Sequence, residues 1–62
     1  MPIVRIELFP GRPTEVKHEL AREITATLER VAGIKPSATT VVFIEVEPTD
    51  WIVGGEPFAR QR

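Results

Sequence analysis

From Ile3 to Phe9 apolar and polar residues alternate, with Val4, Ile6 and Leu8 on one side and Ile3, Arg5, Glu7 and Phe9 on the other. A period of two with β-branched residues predicts a strand that has one wholly apolar face. The mixed opposite face suits contact with a neighbouring subunit better than contact with a helix. Pro10-Gly11-Arg12-Pro13 then breaks the alternation, Thr14 is placed as the N-cap of a helix, and Glu15 puts a negative charge in the first turn. From Glu15 to Ala32 the period changes: Val16, Leu20, Ile24, Leu28 and Val31 recur every three or four residues, with Ala21 and Ala32 beside them. This spacing predicts one amphipathic helix. Gly33 supplies a left-handed end to it, and Pro36 stops it from resuming.

A second strand is predicted over Thr39 to Glu47, and its unbroken apolar middle, Val41 to Ile44, implies burial on both faces. Strand, helix and strand in this order make a βαβ unit, with the two strands parallel through a right-handed crossover. Two strands and one helix cannot close a core. The missing strands must come from another copy, so the smallest sensible unit is a dimer sharing a four-stranded sheet. In the last segment, Pro48 to Arg62, the adjacent Gly54 and Gly55 predict a short hairpin over Ile52 to Glu56. Trp51, Ile52 and Phe58 are too many large apolar residues for a solvated tail, and the segment is expected to lie against another subunit.

Composition sharpens this picture. A chain of 62 residues reads as one domain, 1–62, too small to bury much of its own surface. Small proteins compensate with disulfides, a metal or association. Cysteine is absent and there is a single histidine, so neither a disulfide framework nor a structural metal is expected, and association remains. The 42% hydrophobic content is then read as subunit interface. A net charge of -1 gives no basic footprint for nucleic acid, and no apolar run is long enough to span a bilayer. The N-terminus lacks the pattern of a secretory signal, so the expected location is the cytoplasm.

Candidate chemistry begins at Met1-Pro2. Removal of Met1, which the small residue behind it favours, leaves Pro2 as a secondary amine at the head of an apolar strand. An ordinary α-amino group titrates near pH ~8, and burial or a nearby cation moves it towards neutrality. While Met1 is present, the same nitrogen is a tertiary amide with no useful proton affinity.

Pro2 behind the initiator, Gly11-Arg12 after the first strand, an amphipathic helix, a second strand, and Gly54-Gly55 after an aromatic residue succeed one another at definite spacings. In order and length the chain resembles the short-chain, 4-oxalocrotonate tautomerase type of the tautomerase superfamily. The resemblance implies a homohexamer built as a trimer of dimers, no metal or organic cofactor, and enol–keto proton transfer on small unsaturated 2-oxo acids. It implies Pro2 as base and acid, Arg12 from a neighbouring subunit as the holder of a carboxylate, and Trp51 in the apolar wall that keeps the amine's pKa low.

One departure bears on the substrate. Family members active on the dicarboxylate carry a second arginine in the second strand, and the aligned residue here is Thr40. A hydroxyl can bind a carboxylate or carbonyl but brings no charge, and charge-assisted hydrogen bonds are about twice as strong as neutral ones. A monocarboxylate such as a 2-hydroxydienoate or an aryl enolpyruvate is the expected substrate, with Arg5, Arg60 and Arg62 as candidates for the absent cation. Related dehalogenases and hydratases use an acid where this chain has Val53, and Asp50 and Glu56 do not replace it, so that chemistry is disfavoured. Each residue also has a plainer reading: Trp51 as an interface anchor, Arg12 as a solvated loop cation, Thr40 as a good strand former, and His18, Glu45 and Glu47 as solvent-facing. The alternative to an enzyme is a catalytically silent subunit, or a small-acid binding module, on the same scaffold.

Overall fold

The computed structural model describes residues 1–60. It is α/β: a single βαβ unit followed by a C-terminal hairpin. Strand β1 spans Ile3–Leu8, helix α1 spans Thr14–Ala32, and strand β2 spans Thr40–Glu45. The two strands are parallel, with Ile3 opposite Thr40 and Leu8 opposite Glu45. Because the pairs stay in register, Val4, Ile6 and Leu8 share one face with Val41, Phe43 and Glu45, while Ile3, Arg5 and Glu7 share the other with Thr40, Val42 and Ile44. The ion pair between Lys17 Nζ on α1 and Glu45 Oε2, at 3.0 Å, marks the first of these faces as the one under the helix.

The helix begins one residue earlier than its periodicity indicates. Thr14 is its first residue rather than its cap; the capping position belongs to Pro13, which is extended at φ -62 and ψ 151 and makes no side-chain cap hydrogen bond. The first free amides are met instead by the Pro13 carbonyl, which accepts from the N–H of Val16 at 3.1 Å and of Lys17 at 3.3 Å. Glu15 in the first turn and Arg30 in the last complement the helix dipole. Gly33 ends the helix in the left-handed region, its N–H donating to the Glu29 carbonyl at 2.9 Å. On the exposed side Arg22 pairs with Glu19 one turn away, and this hydrogen bond and charge hold the Glu19 carboxyl below its ordinary value.

After a single 3-10 turn at Pro36–Ala38 the chain enters β2, which is shorter than the Thr39 to Glu47 expected. The hairpin is present: β3, Ile52–Val53, pairs antiparallel with β4, Glu56–Pro57. Gly54 and Gly55 both have positive φ, 62° and 84°, which is the backbone a two-residue I′ turn demands and which side-chain-bearing residues resist.

No described residue is fully buried. Val41 to Ile44, expected to be covered on both faces, are only half-buried: α1 covers one face of the sheet, and on the other Ile3, Arg5, Glu7 and Thr40 are exposed. The apolar stripe of α1 is also incompletely used: Val31 is 70% exposed, and Val16 and Leu20 are exposed too. The radius of gyration is 14.8 Å, against about 10–11 Å for a compact domain of this length. A single copy of this fold therefore has a sheet and a helix but no closed core.

Candidate active site

Pro2 and Thr40 meet at one end of the sheet. Pro2 precedes β1, is half-buried, and accepts the Thr40 N–H on its carbonyl at 3.1 Å. The crossover through α1 creates this neighbourhood, since it returns the start of β2 to the start of β1. Thr40 is exposed and stands opposite Ile3 on the face away from the helix. Arg5, two residues along β1, lies on that same face. Met1 is 91% exposed and forms no hydrogen bond or ion pair among the described residues, so its loss would uncover the Pro2 nitrogen without breaking any such contact. Beside this pair the Thr39 hydroxyl oxygen is shut off from solvent and has no hydrogen-bond partner among the described residues.

Arg12 and Trp51 stand at the other end. Gly11, at φ 121, takes a backbone angle that side chains disfavour, and so lets the chain leave β1 and turn between two prolines. The turn presents Arg12 exposed, with no ion pair or hydrogen bond among the described residues. Trp51 comes after a 3-10 turn at Pro48–Asp50 and packs edge-on against Phe9, ring centroids 4.7 Å apart. Phe58 completes the cluster, its ring 5.1 Å from that of Phe9 and its N–H donating to the Trp51 carbonyl at 2.7 Å. A strand of six residues, Ile3–Leu8, separates the two ends, roughly 20 Å at ~3.3 Å per residue.

Thus the structure brings together Pro2 and Thr40, and separately Phe9 and Trp51, with Arg12 three residues beyond Phe9. Trp51 and Phe58 both pack on Phe9 of their own chain and stay half-buried, while Ile52 is 55% exposed, so the segment keeps apolar surface that another subunit can cover. One expectation needs correction. Glu45 is not simply solvent-facing: it receives Lys17. The role of Phe9 and Phe58 was missed because their partners are distant in sequence. The signal that could have found it was the placement of three of the four aromatic residues at or beyond the strand ends. Of the other candidate cations, Arg62 and the Arg60 side chain lie outside what is described, and Arg5 is placed on a face with Thr40.

Among the described residues no group of three or more His, Cys, Asp or Glu side chains is arranged to hold a metal ion, and no helix is long and apolar enough to cross a membrane. A sequence model of the Tautomerase family, described as tautomerase enzyme, matches residues 2–61. The chain belongs to the tautomerase family. A probable tautomerase from Ralstonia nicotianae is 33% identical to it over 61 residues, covering 98% of this chain and 94% of that one. Among solved structures, TomN, a 4-oxalocrotonate tautomerase homologue of the tomaymycin biosynthetic pathway, superposes with a TM-score of 0.89 at 31% identity, over 98% of this chain and 94% of its own. A heterohexameric 4-oxalocrotonate tautomerase from Chloroflexus aurantiacus matches over the whole of both chains, with a TM-score of 0.85 and 37% identity. As a tautomerase-family chain it shares their βαβ-plus-hairpin fold along its full described length.

Proposed function

We propose that this tautomerase-family protein is a cofactor-independent isomerase that moves a proton between oxygen and carbon of a small unsaturated 2-oxo acid, with the Pro2 amine as base and acid. The observation that carries this reading is the setting of Pro2: half-buried at the head of β1, held by the Thr40 N–H at its carbonyl, and preceded by an exposed Met1 with no hydrogen bond or ion pair among the described residues. Neutral Pro2 takes the proton of the enol hydroxyl, the electron pair moves through the conjugated system, and the prolinium returns a proton to carbon. One O–H bond breaks and one C–H bond forms, with no net change in charge. Arg12 holds the carboxylate and draws electron density towards it, which stabilises the developing anion.

Because ~20 Å of strand separates Pro2 from Arg12 and Trp51, one copy does not bring all three to one small acid. Each Pro2 is completed by Arg12 and Trp51 of another copy. The absence of a fully buried residue among those described and the exposure of Ile3, Val31 and Ile52 support association of this kind, in a homohexamer of three dimers sharing sheets. With Thr40 neutral, the preferred substrates are monocarboxylates, a 2-hydroxydienoate or an aryl enolpyruvate, over dicarboxylates.

Intact mass measured on the same preparation used for kinetics tests the proposal. Protein lacking Met1 is expected to accelerate ketonisation of phenylenolpyruvate or 2-hydroxypentadienoate. Protein with any residue ahead of Pro2 is expected to lose about 10²-fold or more, the lower bound for general acid–base transfer. Equal rates for the two forms would overturn it.

A second reading is favoured by one feature, Thr40 in place of an arginine, together with the similarity to a chain of a heterohexamer. In it this chain is a silent subunit whose oligomer is completed by a related chain. Activity of the purified single chain argues against it; activity only after addition of a second related chain supports it.

A further inference from the structure

We infer that Phe9 and Phe58 are specificity residues: with Trp51 they form an aromatic wall that takes the apolar end of an aryl substrate whose carboxylate is held at Arg12. The inference rests on the proposed substrate class of small unsaturated acids and narrows it to aryl acids.

The wall is assembled from three separate parts of the chain, Phe9 just beyond β1, Trp51 ahead of the hairpin and Phe58 behind it. The hairpin makes the juxtaposition, because pairing of Ile52 with Pro57 returns the chain and the Phe58 N–H then closes on the Trp51 carbonyl at 2.7 Å. Phe9 stands between the other two rings, edge-on to Trp51 at 66° and tilted by 34° to Phe58. These are favourable aromatic geometries, with centroid separations inside the ~4.5–7 Å range over which such pairs attract. All three residues are only half-buried, so the cluster keeps ring surface uncovered.

Two further features orient a ligand on that surface. Arg12 is three residues from Phe9, which bounds the separation of their Cα atoms at about 11 Å, and it has no partner among the described residues. A lone guanidinium beside an apolar wall fits an acid with one charged and one apolar end. Thr40 brings no second cation for a second carboxylate. The ring faces have no hydrogen-bonding groups apart from the indole N–H, so what they discriminate is π surface against aliphatic chain.

Cinnamate and sorbate are both planar, conjugated monocarboxylates, and only the first carries a ring. Their dissociation constants, measured by calorimetry on the assembled protein and checked through the fluorescence of the sole tryptophan, Trp51, isolate the wall from the carboxylate grip. Cinnamate is expected to bind about three- to tenfold more tightly, the discrimination one or two aromatic contacts supply. Phe9→Leu and Phe58→Leu, which keep an apolar side chain but remove the ring, are each expected to bring the ratio of the two constants towards one. A wild-type ratio of one overturns the inference. So does a ratio left unchanged by both leucine variants, or an equal loss of both ligands, which marks the rings as structural only. Ketonisation of phenylenolpyruvate is measured in parallel. A binding preference without turnover defeats the proposed function and leaves the wall standing; turnover without a preference does the reverse.

Discussion

The two ends of β1 are built in contrasting ways. At the Pro2 end the described contacts are backbone ones: the Thr40 N–H bonds the Pro2 carbonyl, Met1 is exposed, and the Thr39 hydroxyl goes unmatched among the described residues. At the Phe9 end side chains carry the organisation, with three tilted or edge-on rings, the Lys17–Glu45 ion pair, and the Val46 N–H extending the ladder to the Leu8 carbonyl at 2.9 Å. The end assigned to proton transfer is thus incomplete in one chain, whereas the end assigned to substrate grip is already assembled. This division is what a site shared between copies requires. On the proposed function, the binding half is shaped before assembly, and Pro2 gains apolar surroundings only when the other half arrives.

The contrast can be broken or sharpened by substitution. The largest effect is expected at Arg12. A hydrogen bond to a charged group contributes ~1.5–3 kcal/mol, so Arg12→Ala should lower kcat/KM on a monocarboxylate by about 10- to 100-fold. The thermal midpoint should hardly move, because Arg12 has no partner among the described residues. Steady-state kinetics and a melting curve on one sample check both halves of the statement. A large fall in the midpoint would make Arg12 structural.

Thr40→Arg probes the other end. It restores a cation beside Pro2, and the ratio of kcat/KM for a dicarboxylate over a monocarboxylate is expected to rise by about tenfold, one charge-assisted hydrogen bond's worth. No change in that ratio would mean that Thr40 does not face the substrate. Smaller still is Lys17→Met, which leaves Glu45 unpaired. The Glu45 side chain is 41% exposed, so screening limits the pair's worth to ~0.5–1 kcal/mol, readable in a denaturant midpoint. Thr39→Val should have the least cost and is expected to be neutral or slightly stabilising. The unmatched hydroxyl already bears its desolvation penalty, and an isosteric methyl relieves it. A loss above ~1 kcal/mol would mean that the hydroxyl finds a partner in the assembled protein.

Much of the fold was legible because its signals are local. The alternation of Ile3 to Phe9, the three-and-four spacing from Val16 to Val31, Gly33 at the helix end and Gly54-Gly55 in the hairpin each act within a few residues, and each is where the pattern placed it. The parallel pairing came from chain order alone. Boundaries were less legible. Pro13 displaced Thr14 from the cap, since its fixed φ suits the extended capping position and its carbonyl alone serves two amides. The continuous run Val41 to Ile44 indicates burial on both faces, but the run reports the environment for which the strand is suited, and among the described residues the face away from α1 keeps Ile3, Arg5 and Thr40 exposed.

The candidate site was legible in proportion to how local it is. Pro2, Arg12, Thr40 and Trp51 could be named from position and resemblance, and the proximity of Pro2 to Thr40 is implied by the crossover. The partnership of Phe9 with Trp51 and Phe58 depends on where the last segment returns, roughly forty or more residues along the chain. Excess apolar surface in this segment shows that Trp51 and Phe58 need cover, and Phe9 of the same chain provides part of it. The Lys17–Glu45 pair was hidden in the same way, each residue reading as a solvated charge until helix and strand are laid together.

Complementation tests most directly whether the two ends work on one substrate from different copies. One chain would carry an extra residue ahead of Pro2, locking its nitrogen in a peptide bond, and the other Arg12→Ala. Each is expected to be nearly inactive alone. Co-assembled in equal amounts, they should recover about a quarter of wild-type activity, because random pairing in a symmetric oligomer gives that share of sites an intact Pro2 facing an intact Arg12. Recovery no greater than the sum of the two inactive proteins, with mixed oligomers shown by native mass, would contradict a site shared between copies.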